Sequence, residues 1–150
     1  MSTVIDGTLG VTYPDTGTQG KAAYPDSFYY AALGADVNLA NTANYYDGPS
    51  VALPTGKWLV MAKASMTDPT GNAGFYGKLW DGTTVFDSGN ATHPGSNNFT
   101  PLTCAAPVTV VAGPVTVKLS IRGVTSSSGK ILYNQSGNGK DSSITAVRIG

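Results

Sequence analysis

Residues 57–66, KWLVMAKASM in one-letter code, run for ten positions without a Gly, Pro, Asn or Asp. Read as a strand of period two, they place Trp58, Val60, Ala62, Ala64 and Met66 on one face. The other face holds Leu59 and Met61 between Lys57 and Lys63, so it is apolar too. Residues 73–80 repeat the pattern, with Phe75 and Leu79 on one side and Tyr76 and Trp80 on the other. In a lone sandwich the outer face of each sheet meets water and should be polar. Two-faced strands therefore imply that something covers the outer face, unless the register of one strand is misassigned. A second copy of the chain is the simplest cover, because most soluble oligomers are symmetric homo-oligomers.

Composition removes the helical alternatives. The chain has 150 residues, its nine acidic residues are all Asp, and Glu is missing. Gly (19), Thr (18), Ser (13) and Asn (9) fill 59 positions, types that suit strands and turns and are neutral to poor in helix interiors. Further strand signals fall at 28–30, 37–39, 50–53, 84–86, 114–122, 130–133 and 143–149. The clearest is 114–122, where Val115, Val117, Leu119 and Ile121 alternate with Thr116, Lys118, Ser120 and Arg122. Asp81-Gly82 marks a hairpin turn. Residues 99–111 are apolar but contain Pro101 and Pro107, which predicts an edge strand or two strands broken by bends. Residues 87–98, 126–129 and 136–139 read as polar loops. Roughly ten short strands of this kind predict an all-β antiparallel jelly-roll sandwich over residues 28–150.

Residues 1–27 differ in character. Ile5, Leu9, Val11 and Tyr13 are isolated among Gly, Thr, Asp and Pro, and Tyr-Pro-Asp occurs twice, at 13–15 and 24–26. Pro holds its predecessor extended and Asp after Pro favours a turn. The segment reads as an extended N-terminal arm, with Ile5, Leu9, Val11, Tyr13, Pro14 and Asp15 as its anchoring residues. The start lacks the basic and apolar regions of a secretory signal, so synthesis in a cytoplasm is expected. No apolar run approaches the ~20 residues of a membrane-spanning helix.

Chemistry is sparse. Net charge is zero and the nine cations are scattered, so no basic stripe for nucleic acid appears. Cys104 is the single cysteine and its apolar neighbours predict a buried thiol. His93 is the single histidine, and a catalytic triad would need it with Asp87 or Asp141; no Gly-x-Ser-x-Gly elbow is present. Asp47, Asp81 and Asp141 lie beside turn residues, where Asp is expected for backbone reasons. A calcium site of Asp and loop carbonyls stays open, although Asp spacing of the EF-hand kind is missing. No enzyme and no cofactor is expected. Exposed aromatics with Asn and Asp nearby suit sugar stacking or protein interfaces. Tyr133, Asn134 and His93 are the candidate glycan contacts, and Leu59, Met61, Tyr76, Trp80, Val147 and Ile149 the candidate interface between copies.

Two resemblances add to this reading. Residues 45–60, YYDGPSVALPTGKWLV, and the ending SSITAVRI at 142–149 resemble C1q/TNF-like jelly-roll domains, which implies a homotrimer with the last strand in its interior. Residues 10–19, GVTYPDTGTQ, are similar to a segment common in bacteriophage head and tail fibre proteins, with Thr16-Gly17 where that pattern has a single Gly. LWDGTTV at 79–85 and the SSITAVRI ending also look like fibre-tip domains. Together they imply a virion protein, a capsid decoration or head fibre attached through its arm. The alternative is a tail-fibre tip or glycan-binding adhesin. The partners implied are a homotrimer, capsid or fibre proteins and a host surface glycan, without nucleic acid or membrane insertion.

Overall fold

The computed structural model describes residues 28–95 and 98–150 in full, and the backbone of 4–6, 10–12 and 18–19. Among the described residues there is no helix. Strands β1 (Val4–Asp6), β2 (Gly10–Thr12) and β3 (Thr18–Gln19) form a small antiparallel sheet of their own, with Ile5 opposite Val11. The candidate anchors Leu9, Tyr13, Pro14 and Asp15, and the side chains of Ile5 and Val11, lie outside the described residues.

The other ten strands make a two-sheet jelly-roll sandwich. One sheet is built on β7 (Gly56–Thr67), which pairs on one edge with β13 (Ser143–Arg148) and β12 (Lys130–Leu132). Its other edge pairs along its length with β10 (Thr100–Val110), while β4 (Phe28–Ala32) extends β13 and β5 (Val37–Asn38) extends β12. The second sheet runs β6-β11-β8-β9, formed by Tyr46–Leu53, Val115–Gly123, Ala73–Trp80 and Val85–His93. The chain crosses between sheets at β5–β6, β6–β7, β7–β8, β9–β10, β10–β11 and β11–β12, and β11 lies between β6 and β8. That is Greek-key connectivity.

The core follows the period-two reading. Trp58, Val60, Ala62, Ala64 and Met66 of β7 are buried against Phe75, Leu79, Val117, Leu119 and Ile121 of the opposite sheet. Trp58 packs edge-on to Tyr29 at 5.3 Å and donates its indole N–H to the Pro54 carbonyl. Cys104 is buried, and its thiol pKa is pushed up to about 11, by burial first and by the nearby Asp87 carboxylate second.

Residues 99–111 resolve as one edge strand. Among the described strands β10 pairs with β7 alone, and Pro101 and Pro107 sit at exposed positions where no ladder donor is needed. Ala105, in the same alternation, sends its N–H away from β7 to Asp87 Oδ2 at 2.8 Å. The expected polar loop at 87–98 is largely strand: β9 runs to His93 because β8 supplies a continuous hydrogen-bonding edge from Ala73 to Trp80.

β6 carries a bulge in which Gly48 and Pro49 together oppose Leu119, since Ser50 pairs with Lys118 and Asp47 with Ser120. A Cβ on Gly48 would lie 2.7 Å from the Leu119 carbonyl oxygen, a backbone atom that cannot swing aside. Gly48→Ala should therefore lower stability by about 1–3 kcal/mol in urea unfolding. Gly34→Ala, where nothing lies within 4 Å, is the neutral comparison.

Candidate functional site

The two outer faces of the sandwich are unlike. On the β7 sheet, cross-strand register lines up Phe28, Val147, Leu59 and Pro107 in one row and Tyr30, Thr145, Met61 and Ala105 in the next. Phe28 is 60% exposed, Tyr30 45%, Leu59 38% and Met61 42%, and Ile149 continues the patch beyond β13 at 58%. A shallow groove of about 400 Å³ lies beside Met61, Lys63, Thr103, Ala105 and Thr145. Contiguous apolar surface of this kind marks an interaction site, whereas scattered apolar residues do not.

The second outer face is polar, aromatic and cationic. Register places Arg122, Tyr76 and Asn90 in one row, and Asp47, Ser120, Lys78 and Ser88 in the next. The bulge at Gly48-Pro49 turns Asp47 outward, where Oδ1 accepts from Ser120 Oγ at 2.7 Å and Oδ2 pairs with Lys118 Nζ at 2.6 Å. Ser120 Oγ in turn accepts the Trp80 indole N–H at 2.7 Å, which pins that ring to the sheet. Lys78 Nζ lies 3.2 Å from the centre of the Trp80 ring and 4.3 Å from that of Tyr45. Removal from water holds the Lys78 ammonium below the usual lysine range; Asp47 opposes the shift and Lys118 adds to it. The Arg122 guanidinium stands 5.4 Å from the Tyr45 ring and 5.3 Å from the Tyr76 ring, and its Nε is buried with no hydrogen-bond partner. Against Tyr45 and Tyr76, the two rings beside Arg122, opens a groove of about 230 Å³ lined also by Gly77, Ser88, Gly89 and Asn90.

The six interface candidates therefore divide. Leu59, Met61, Val147 and Ile149 share the β7 face, whereas Tyr76 and Trp80 stand on the opposite side of the sandwich. The six thus lie on two opposite faces of the sandwich. The alternation separated inner from outer correctly but carried no information about which sheet an outer face belonged to.

The glycan candidates also divide. His93 is no solvated loop residue: it is fully buried at the end of β9, so it has no surface to offer a sugar. Its Nε2 accepts the Asp68 N–H at 3.4 Å and its Nδ1 pairs with Thr100 Oγ1 at 3.0 Å, which assigns the proton to Nδ1. Its ring stands edge-on to Phe75. Neither Asp87 nor Asp141 bonds it; Asp87 caps Ala105 and Asp141 accepts from Ser136. Tyr133 is half-buried, and Asn134 Oδ1 is engaged by the Gly139 N–H at 2.6 Å, so both brace the loop between β12 and β13. Among the described residues no group of three or more His, Cys, Asp or Glu is placed to hold a metal ion.

No family model matches the chain, and no curated protein matches it. Solved structures similar to it include the C-terminal carbohydrate-binding module CBM6 of a marine laminarinase from Zobellia galactanivorans. That match has 19% identity over 81% of this chain and 89% of that one, with a TM-score of 0.38. The CBM6 module of Cellvibrio mixtus lichenase 5A, solved with cellotriose, gives 12% identity over 83% and 88%, with a TM-score of 0.39. An insecticidal delta-endotoxin from Bacillus thuringiensis gives 14% identity over 71% of this chain and 19% of that one, with a TM-score of 0.41. Values this low carry no inference about what this chain binds.

The Asp68 site yields a pH test. Burial raises its carboxyl pKa, but the two hydrogen bonds from Thr70, with the Ser126 hydroxyl and His93 nearby, outweigh that, and the net shift is downward. A carboxylate with a lowered folded-state pKa adds stability that is complete above its unfolded value of about 3.9 and is lost as pH falls through the folded value. Asp68→Ala should cost about 1–3 kcal/mol at pH 7. In denaturant titrations the gap from the unsubstituted protein should narrow as pH drops below about 4.

Proposed function

We propose that the chain is a non-enzymatic adhesion module that works as a homotrimer on a phage particle and meets a glycan through the cationic aromatic face of the β6-β11-β8-β9 sheet. The observation that carries the reading is the sidedness of the sandwich. The Phe28/Leu59/Met61/Ile149 face is apolar and left exposed by the described residues, which favours burial against another copy. The opposite face keeps Lys78 and Arg122 across its aromatic rings, an arrangement suited to a hydrated ligand and ill suited to a dry seam. A three-fold assembly uses two different patches per subunit and closes on itself. Three-fold closure and the phage setting come from the C1q/TNF-like and fibre-like segments of the sequence.

Binding on such a face needs little rearrangement. Trp80 is held by Ser120, Tyr45 and Tyr76 are braced by cations, and both Ser88 and Asn90 come from a paired strand. A pyranose ring stacks its C–H face on an aromatic ring while amides and hydroxyls order its hydroxyl groups.

A second reading, a capsid decoration with no ligand, is favoured by the apolar face alone. It shares the homotrimer and the arm and lacks glycan binding.

Light scattering on the purified protein should return three times the chain mass. Leu59→Asp combined with Met61→Asp should return single chains that keep a cooperative unfolding transition, because both side chains point away from the core. A monomer in the unsubstituted protein would remove the homotrimer from the proposal. Deletion of residues 1–27 should leave the oligomer intact and abolish incorporation into particles, scored by electron microscopy and by protein content of purified virions.

A further inference from the structure

The groove between Tyr45 and Tyr76 is charged in a way that sugar stacking alone does not require. Three cations, Lys78, Lys118 and Arg122, stand on this face, and among the described residues Asp47 is the one carboxylate turned into their midst. Both Asp47 oxygens are already engaged, one by Lys118 and one by Ser120. The other acids nearby are committed elsewhere. Asp87 accepts the Ala105 and Ser88 N–H groups, and Asp81 accepts those of Thr83 and Thr84 in the β8–β9 turn. Among the described residues, the one Asp47 carboxylate therefore does not fully balance Lys78, Lys118 and Arg122 on this face.

The Arg122 Nε is the sharper sign. A buried guanidinium nitrogen without an acceptor among the described residues is costly, and an acceptor on a bound ligand is one way to meet that cost. The rings of Tyr45 and Tyr76 hold that guanidinium beside the groove, and the exposed side of Tyr76 stays free. Asn90 stands directly opposite Tyr76 and Ser88 directly opposite Lys78, so amide and hydroxyl groups flank the aromatic floor. The groove, at about 230 Å³, is smaller than the ~300–1,000 Å³ of drug-sized pockets and suits a single sugar unit.

We infer that this groove binds an anionic sugar residue of a polysaccharide, with its ring stacked on Tyr76 and Tyr45 and its acid group met by Lys78 and Arg122. The inference rests on the glycan reading above and names the class of sugar. Ser88 and Asn90 take ring hydroxyls. The acid is a carboxylate, as in a uronic acid, or a sulfate ester, and both offer the oxygen acceptors that Nζ and the guanidinium lack.

The test is calorimetry on the intact protein with three probes: a galacturonic acid hexamer, a sulfated galactan hexamer and neutral cellohexaose. One or both acidic hexamers should bind, cellohexaose at least tenfold more weakly, and the acidic affinity should fall as salt rises. Lys78→Gln should weaken acidic binding about tenfold and leave residual binding less sensitive to salt. Tyr76→Ser should weaken all binding. Lys130→Gln, exposed on β12 of the other sheet, should leave binding unchanged. Unaltered oligomeric state and melting temperature in each variant show that the fold is kept. Equal or preferential binding of cellohexaose would overturn the anionic assignment while leaving the glycan reading in place. Binding of none of the three, with the protein folded, would overturn both. Acidic binding that survives both Lys78→Gln and Tyr76→Ser would place the sugar elsewhere and overturn the site.

Discussion

The ladder between β7 and β10, eleven residue pairs from Gly56–Val110 to Met66–Thr100, is the frame on which the rest hangs. With β13 and β12 on its other edge, β7 has its backbone satisfied on both sides, and its inward row from Trp58 to Met66 makes the floor of the core. A strand so placed is free to carry apolar groups outward as well, because its own hydrogen bonds do not depend on solvent. The cost is an exposed patch of Leu59 and Met61, continued by Phe28, Val147 and Ile149 on neighbouring strands. The proposed oligomer is the response to that cost.

The opposite sheet depends on a smaller device. Gly48 and Pro49 opposing Leu119 shift β6 by one residue, and that shift brings Asp47 beside Ser120 and Lys118. Without the extra residue the carboxylate would fall on the other side of the strand. The bulge thus reaches through Asp47 and Ser120 to Trp80, and through Trp80 to the position of Lys78.

Much of this was legible in the residues. Alternation sorted inner from outer on β7, β8 and β11, because burial on one face leaves a period-two trace. What alternation cannot carry is the partner across the ladder. β9 was missed from Asp87 to His93 since Asp87, Ser88, Gly89 and Asn90 have poor strand preference; they are held extended by β8. His93 was misplaced for the same reason, as its partners Asp68 and Thr100 lie 25 and 7 residues away. The groove at Tyr45, Tyr76 and Asn90 joins three segments distant in sequence, and no local pattern announces it. Arg122, placed outward by its alternation, gave no sign that its Nε would be left without an acceptor.

The free edge of β10 has a meaning for assembly beyond that strand. Two prolines of one alternation, Pro101 and Pro107, have no N–H to present there, and between them the Ala105 N–H is already given to Asp87. A second β strand arriving at this margin would find its acceptors unmatched along three of the outward positions. Growth of the sheet from copy to copy, the route that leads to open-ended fibres, is thereby obstructed at this border. At this border, contact between copies is left to faces, whose geometry can close into a finite ring.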